Sequence, residues 1–501
     1  MSRFTPHTAL APRRRAVLSA ALAGLTAVAA CAPRTAPAPV APSGPPLDRA
    51  RPPALGAPAP LKTPPVVTRE LPNGLRLVVV EQHELPLADF VLLVRSGAEM
   101  DPAATPGVAS LAAALLDEGT TTRDALAIAD QQAYLGVRIG AGAGWDASTV
   151  SLHAPVAQLD SALALFADVV LRPTFPEQEF TRVRAERVTE LIQLKDRPRA
   201  IADRAFAQVL YGDAHPYGRP LTGTEASVQR ITRDDLSRFY RTFYRPNNAT
   251  LIVVGDVRPD DVERRARALF GGWERAEVPP ASYPAPPAAR PATVYLIDKQ
   301  RAPQSSVRIG LVGVPRATPD YFPLQVMNTV LGGSFTSRLN QNLRETRGYT
   351  YGASSGFAMR RAAGPFLAAA EVTGGKTDSA LVEFMKELRS IRDTVPVTEL
   401  DKAKRYLQLG LPADLESSGQ IASQMVPIVL HGLPLNFFDT YVQRVEGVTQ
   451  ADVQRVAREY VDPSRVAVVV VGDRASIEAG LKAINVGPVE IRDLSGAPVR
   501  P

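Results

Sequence analysis

The feature that most constrains this chain is a repeat of itself. Residues 231–257 (ITRDDLSRFYRTFYRPNNATLIVVGDV) align without a gap on residues 448–474 (VTQADVQRVAREYVDPSRVAVVVVGDR), with nine of 27 positions identical. The shared positions include Thr232/Thr449, Pro246/Pro463 and the pairs Gly255-Asp256/Gly472-Asp473. Both copies carry the same local signals: a threonine cap with acid in the first turns, a proline that ends the helix, and a β-branched run that makes a buried strand. Similarity over that length points to duplication. The fold must therefore be one that tolerates two copies of a helix–strand unit in one chain.

The duplicated parts are separated by residues 276–291, where six prolines in sixteen residues mark a linker. This predicts an N-terminal domain over 66–275 and a C-terminal domain over 292–490. In each, strand and helix patterns interleave without a strict βαβ rhythm. Strands are expected at 74–81, 90–95 and 149–154, and helices at 108–118, 157–172, 178–195 and 200–211. The reading is an α+β fold of two tandem homologous domains, each a mixed or antiparallel sheet packed with helices.

The N-terminal part reads as an address. Arg13, Arg14 and Arg15 precede an apolar run, 16–30, that ends in Val28-Ala29-Ala30-Cys31. Basic region, short apolar region and small residues make an export signal over 1–31, and its end resembles the lipobox of bacterial lipoproteins, in which the cysteine carries lipid. Residues 32–65 follow with twelve prolines, an extended stalk that cannot bury a core. Lipidated Cys31 and a stalk place the body in the periplasm, anchored to an envelope membrane, with a preference for the outer one. Cys31 is the sole cysteine, which excludes an intrachain disulfide and thiolate-rich zinc sites. The formal charge of +6 is carried by the first 65 residues; the remainder is near neutral, so nucleic acid is not an expected partner.

Several phrases resemble the pitrilysin (insulinase-like) zinc peptidases, including the mitochondrial processing peptidase and its bacterial relatives. They are Leu71-Pro72-Asn73-Gly74-Leu75, the Gly107…Glu118-Gly119-Thr120 helix, His215-Pro216-Tyr217-Gly218-Arg219-Pro220, and LGGSFTSRLNQNLRETRGYTYG from Leu331. The resemblance covers about residues 66–490 and implies a clamshell of two domains. In active members a His-x-x-Glu-His helix binds zinc, the glutamate activates water, and a glutamate some 75 residues on is the third ligand. Here the histidine positions hold Ser110 and Ala114 and the base position Ala113, while Glu190 remains at the third position. The more ordinary reading of Glu190 is a polar residue on a charged helix. One carboxylate cannot hold catalytic zinc, so no metal is expected on this chain alone. His215 belongs to a phrase that is structural in relatives.

The resemblance also implies a retained function in the second half. Arg344 and Tyr351, seven residues apart, match a family pair that hydrogen-bonds substrate near the scissile carbonyl; guanidinium and phenol both donate, as a developing oxyanion requires. Tyr349 is the rival tyrosine, and a surface arginine with a packed tyrosine is the alternative reading. Gly332 and Gly333 lie upstream and are assigned to substrate binding. The chain thus resembles the non-catalytic subunit of a heterodimeric zinc endopeptidase. The implied partners are a homologous subunit bearing zinc and His-x-x-Glu-His, and peptide substrates that add to a sheet edge. Residues 138–149 match the edge region, although their glycines equally fit a bulge or loop. The competing reading is a peptide-binding or assembly scaffold of the same fold without a proteolytic role.

Overall fold

The computed structural model describes residues 63–499. The export signal, Cys31 and all but the last residues of the stalk lie outside them. Among the described residues no helix is long and apolar enough to cross a membrane.

Twelve strands form two six-stranded sheets. The first contains β1 (Val66–Glu70), β2 (Arg76–Glu81), β3 (Leu87–Val94), β4 (Arg138–Ala143), β5 (Ser148–Pro155) and β6 (Ala249–Gly255), in the order β1-β2-β6-β3-β5-β4. The second contains β7 (Thr293–Asp298), β8 (Gln304–Val312), β9 (Thr350–Phe357), β10 (Pro365–Thr373), β11 (Ala467–Gly472) and β12 (Val489–Arg492), in the order β12-β7-β11-β8-β10-β9. The five inner and edge strands correspond one to one. In each sheet one parallel pair (β2/β6, β7/β11) is followed by three antiparallel pairs. The repeat read over 27 residues thus extends to five strands of each sheet. Its two copies build the same unit: Thr232 and Thr449 each cap a helix reciprocally with Asp235 and Asp452, and each helix leads into a central strand.

The outermost strand breaks the symmetry. β1 pairs antiparallel with β2, whereas β12 comes from the C-terminal end and pairs parallel with β7. β1 was not anticipated. The Leu71–Gly74 phrase is the turn that joins it to β2, with Gly74 at φ +88°, and this is why the strand expected from residue 74 begins at Arg76. The helix expected over 108–118 also stops early, at Ala114. Leu115 and Leu116 donate to the carbonyls of Ala112 and Ala113, so the last turn tightens to i→i+3 bonding. The other three helices fall at Leu159–Leu171, Glu177–Leu194 and Pro198–Tyr211, close to their expected places.

Alternation along the central strands sends successive side chains to opposite faces, and both faces are covered. In the first sheet Leu77, Val79, Leu251 and Val253 face the helices of their own half. Val78, Val80, Ile252 and Val254 face Ile421, Ala422, Met425, Ile428 and Val429, which lie on the helix Ser418–Leu430 of the other half. The second sheet does the converse: Tyr295, Ile297, Val469 and Val471 pack against Ile201, Ala202, Ala205 and Phe206 from the helix Pro198–Tyr211 of the first half. Each half lends the other a helix. Burial on two faces explains why β6 and β11 read as unbroken apolar runs rather than alternating ones.

The segment 276–291 has no helix or strand, yet it does not stand free. Its Tyr283 donates a hydrogen bond to Asp146, which also accepts from Tyr217 (2.6 Å) and from the Arg361 backbone N–H (2.8 Å). Asp146 therefore ties the first half, the linker and the second half to one carboxylate. His215 serves this tie: its Nδ1 accepts the Tyr217 N–H, and the Tyr217 hydroxyl accepts from Ala362 N–H. The His215–Arg219 phrase is structural here.

Reciprocal helix exchange predicts that neither half folds alone. Expressed separately, residues 63–275 and 292–499 should show no cooperative unfolding, and co-expression should recover one transition. Met425→Ala, which opens a cavity on the first sheet from the second half, should cost about 2–5 kcal/mol in denaturant unfolding of the whole chain.

Candidate functional site

The helix Val108–Ala114 begins at Gly107, held at φ +104°. It has no side-chain cap of its own; Asp101 supplies one from the preceding turn, accepting from Gly107 N–H (2.7 Å) and Ala109 N–H (2.8 Å). The alanine-rich sequence places Ala109, Ala112 and Ala113 in the core, while Ser110 and Ala114, at i and i+4, are half-buried on the remaining face. That face meets the helix Glu177–Leu194. Arg187 lies between them, its side chain 14% exposed. Its Nη1 donates to Ser110 Oγ (2.8 Å) and its Nε to Glu190 Oε2 (3.1 Å). Glu190, 68% exposed, reaches no other cation. Ser110 and Glu190 both bond to the Arg187 guanidinium and not to each other. Sequence reasoning did not single out this arginine. The available signal was spacing: Arg187 is one helical turn before Glu190, on the same face.

The second half presents a different surface. The chain from Thr329 to Thr346 contains two π-helical turns, Thr329–Gly333 and Gln341–Thr346, separated by a short helix, Arg338–Asn340. Arg344 lies on the second turn. Its guanidinium stacks over the ring of Phe335 at 4.5 Å and pairs with Glu345 at 3.3 Å. Phe335 is 60% exposed, so the stacked pair faces solvent. Tyr351 follows on β9, the free edge of the second sheet, and is 89% exposed; Tyr349 packs against the core of the second half. No hydrogen bond joins Arg344 to Tyr351 among the described residues. Gly332 is buried where a Cβ would come within 2.4 Å of the Ser355 backbone N on β9, which accounts for that glycine sterically; Gly333 is at the surface. In the first sheet β4 is likewise an edge, paired only with β5 in an unbroken register from Arg138↔His153 to Ala143↔Ser148. Its glycines mark an open edge and no bulge.

Residues 76–225 match the profile described as Insulinase (Peptidase family M16), and residues 230–407 match that of the Peptidase M16 inactive domain. The chain belongs to the M16 peptidase family. It is similar to an uncharacterized zinc protease of Mycobacterium leprae, 28% identical over 410 residues that cover 81% of this chain and 91% of that one. An uncharacterized zinc protease of Streptomyces coelicolor is also 28% identical, over 78% of this chain and 86% of its own. Among solved structures, a peptidase M16 inactive domain from Pseudomonas fluorescens aligns at TM-score 0.76 and 29% identity, covering 81% of this chain and 98% of that chain. A protease from Helicobacter pylori aligns at TM-score 0.76 and 23% identity, over 82% and 100%, which shows a shared fold.

Membership of M16 raises the question of zinc, and the residues present do not fit it. A catalytic site needs about three protein ligands. The positions that the resemblance assigns to metal ligands hold a serine hydroxyl, a methyl group, and a carboxylate paired to a guanidinium. No group of three or more His, Cys, Asp or Glu side chains among the described residues is arranged to hold a metal. No hydrolytic step is derived for this chain. Its M16 fold fits that of an inactive subunit.

The turn that leads into the Ser110 helix contains two buried acids. Burial pushes the Glu99 carboxyl up to about 8 and that of Asp101 up to about 7. Glu99 Oε2 accepts from Gly97 N–H (2.7 Å), while Oε1 is buried without a hydrogen-bond partner and lies 3.8 Å from Arg361. Because the folded value is raised, the folded state holds a proton that the unfolded chain releases near pH 4.5, and stability falls as pH rises from there to about 8. Glu99→Gln should therefore leave the melting temperature near that of the native chain at pH 5 and raise it by at least about 2 °C at pH 9. An equal effect at both pH values would show that the charge is not what the site opposes.

Proposed function

We propose that this M16 chain is a non-catalytic, substrate-binding and catalysis-supporting subunit of a heterodimeric periplasmic zinc metalloendopeptidase that cleaves peptides or unfolded protein segments. The observation that carries this reading is the asymmetry between the halves. The face where relatives of the resembled type bind zinc holds Arg187, while the second half keeps Arg344 half-buried at the surface and Tyr351 exposed. A chain that served only as a scaffold has no use for a guanidinium and a phenol held at the surface. The names of the curated relatives, zinc proteases, agree with a proteolytic setting. The partner is a homologous subunit carrying His-x-x-Glu-His and the zinc ion. The two enclose a chamber with zinc on one wall and Arg344/Tyr351 on the other.

The roles follow from chemistry. Arg344 and Tyr351 donate toward the oxyanion that develops at the scissile carbonyl. Phe335 keeps the guanidinium extended. Extended peptide adds to an open edge, β4 or β9, through main-chain hydrogen bonds. Gly333 lies beside the path of that peptide, and Gly332 lets the Thr329–Gly333 turn approach β9. The signal over residues 1–31, lipidated Cys31 and the proline-rich stalk hold the body at the periplasmic face of an envelope membrane.

The test is an affinity pull-down of the tagged mature protein from its native envelope, with zinc analysis and a peptide-cleavage assay on the eluate. Expected is a stoichiometric His-x-x-Glu-His homologue with zinc and activity entering together. Within that complex Arg344→Ala or Tyr351→Phe should lower turnover by about 100-fold with assembly intact. Recovery of the chain alone, metal-free and inert, would favour the scaffold reading, as would variants without effect.

A further inference from the structure

We infer that Arg187 is a resident cation in the metal's place: it joins the two helices that a metal would join and keeps divalent ions off the face they share. The M16 ligand positions on the helix Val108–Ala114 and the remaining carboxylate on the helix Glu177–Leu194 face each other across one guanidinium, 2.8 Å from Ser110 Oγ and 3.1 Å from Glu190 Oε2. A zinc ion links such helices by accepting electron pairs from ligands on both. Arg187 links them in the inverse sense, donating to both. Its group is planar, donor-only and positively charged, and cannot itself ligate.

The burial pattern supports the assignment. Of the arginines on this helix, Arg182 and Arg184 point elsewhere: Arg182 pairs with Glu118, Glu179 and Glu186 at the surface, and Arg184 lies over the Phe180 ring and donates to Ile231 O. Arg187 alone is drawn in between the helices. Among the described residues Glu190 is the one carboxylate paired with it and pairs with no other cation, so the guanidinium is the positive charge that this carboxylate already faces. A divalent ion arriving at Glu190 would have to displace that cation or sit beside it, and the largely buried guanidinium opposes a second positive charge next to it even though the carboxylate itself is open to solvent. Loss of the histidines therefore does not stand alone. The chain has closed the site with a charge of its own, and restoring the missing imidazoles does not by itself reopen it.

The inference concerns this chain alone and is independent of any partner. Its test rebuilds the ligands without the general base, because Ala113 is fully buried and a glutamate there would endanger the fold. The double variant Ser110→His/Ala114→His, with Glu190 intact, supplies three M16 ligands. It is compared with the same double variant carrying Arg187→Leu, and with one carrying Arg187→Gln, which keeps a donor for residue 110 and guards against failure of the leucine variant to fold. Zinc per chain is measured by mass spectrometry after equilibrium dialysis, and Co²⁺ binding by its visible absorption. The double variant should retain at least about tenfold less zinc than the two in which Arg187 is neutralised. Only the latter should give the intense bands of a four-coordinate Co²⁺ site. Equal zinc binding with and without Arg187 would overturn the inference. Folded variants that all fail to bind would overturn it too, by showing that these helices do not form a metal face.

Discussion

Everything else in this molecule depends on the exchange of one helix between its halves. Two six-stranded sheets of the same order each bury one face under their own helices and the other under a helix contributed by the opposite half. A sheet left with one bare apolar face is unstable in water, so each half completes the other and the pair folds as a unit. The shared Asp146, bonded to groups from both halves and from the linker, adds a directional lock to this non-directional burial.

That arrangement fixes what the two copies can do differently. Because the sheets and exchanged helices carry the stability, surfaces outside them are free to diverge. In the first half, the helix positions that bind metal in the resembled peptidases have become an alanine-rich packing surface with Arg187 over it. In the second half, a π-helical turn carries Arg344, stacked on Phe335 of the preceding loop, in the chain that leads to an open sheet edge presenting Tyr351. Duplication thus gave one scaffold two non-equivalent faces. An inactive M16 subunit can retain binding surfaces after its hydrolytic centre has gone, since the two are built on different elements.

Much of this was legible residue by residue. Thr232 and Thr449 announced the capped helices, and the β-branched runs announced the central strands. The misses have definite causes. β1 escaped because five residues of mixed character after a proline-rich segment carry little period-two signal. The Ser110 helix ended early because its last turn tightens, which apolar spacing alone does not register. The steric reason for a glycine at 332, its close approach to β9, is one that only coordinates reveal.

The sequence by itself determined the duplication and the α+β character, because those follow from repeated local patterns, and it determined that serine and alanine, which cannot replace imidazole, stand at positions 110, 113 and 114. It could not determine that the halves exchange helices, since a helix with one apolar stripe looks the same whichever sheet it covers. Nor could it determine that Arg187, among the three arginines of its helix, turns inward to take the metal's place. Both outcomes depend on which surfaces meet in three dimensions. Packing decides that, and it is long-range in the chain.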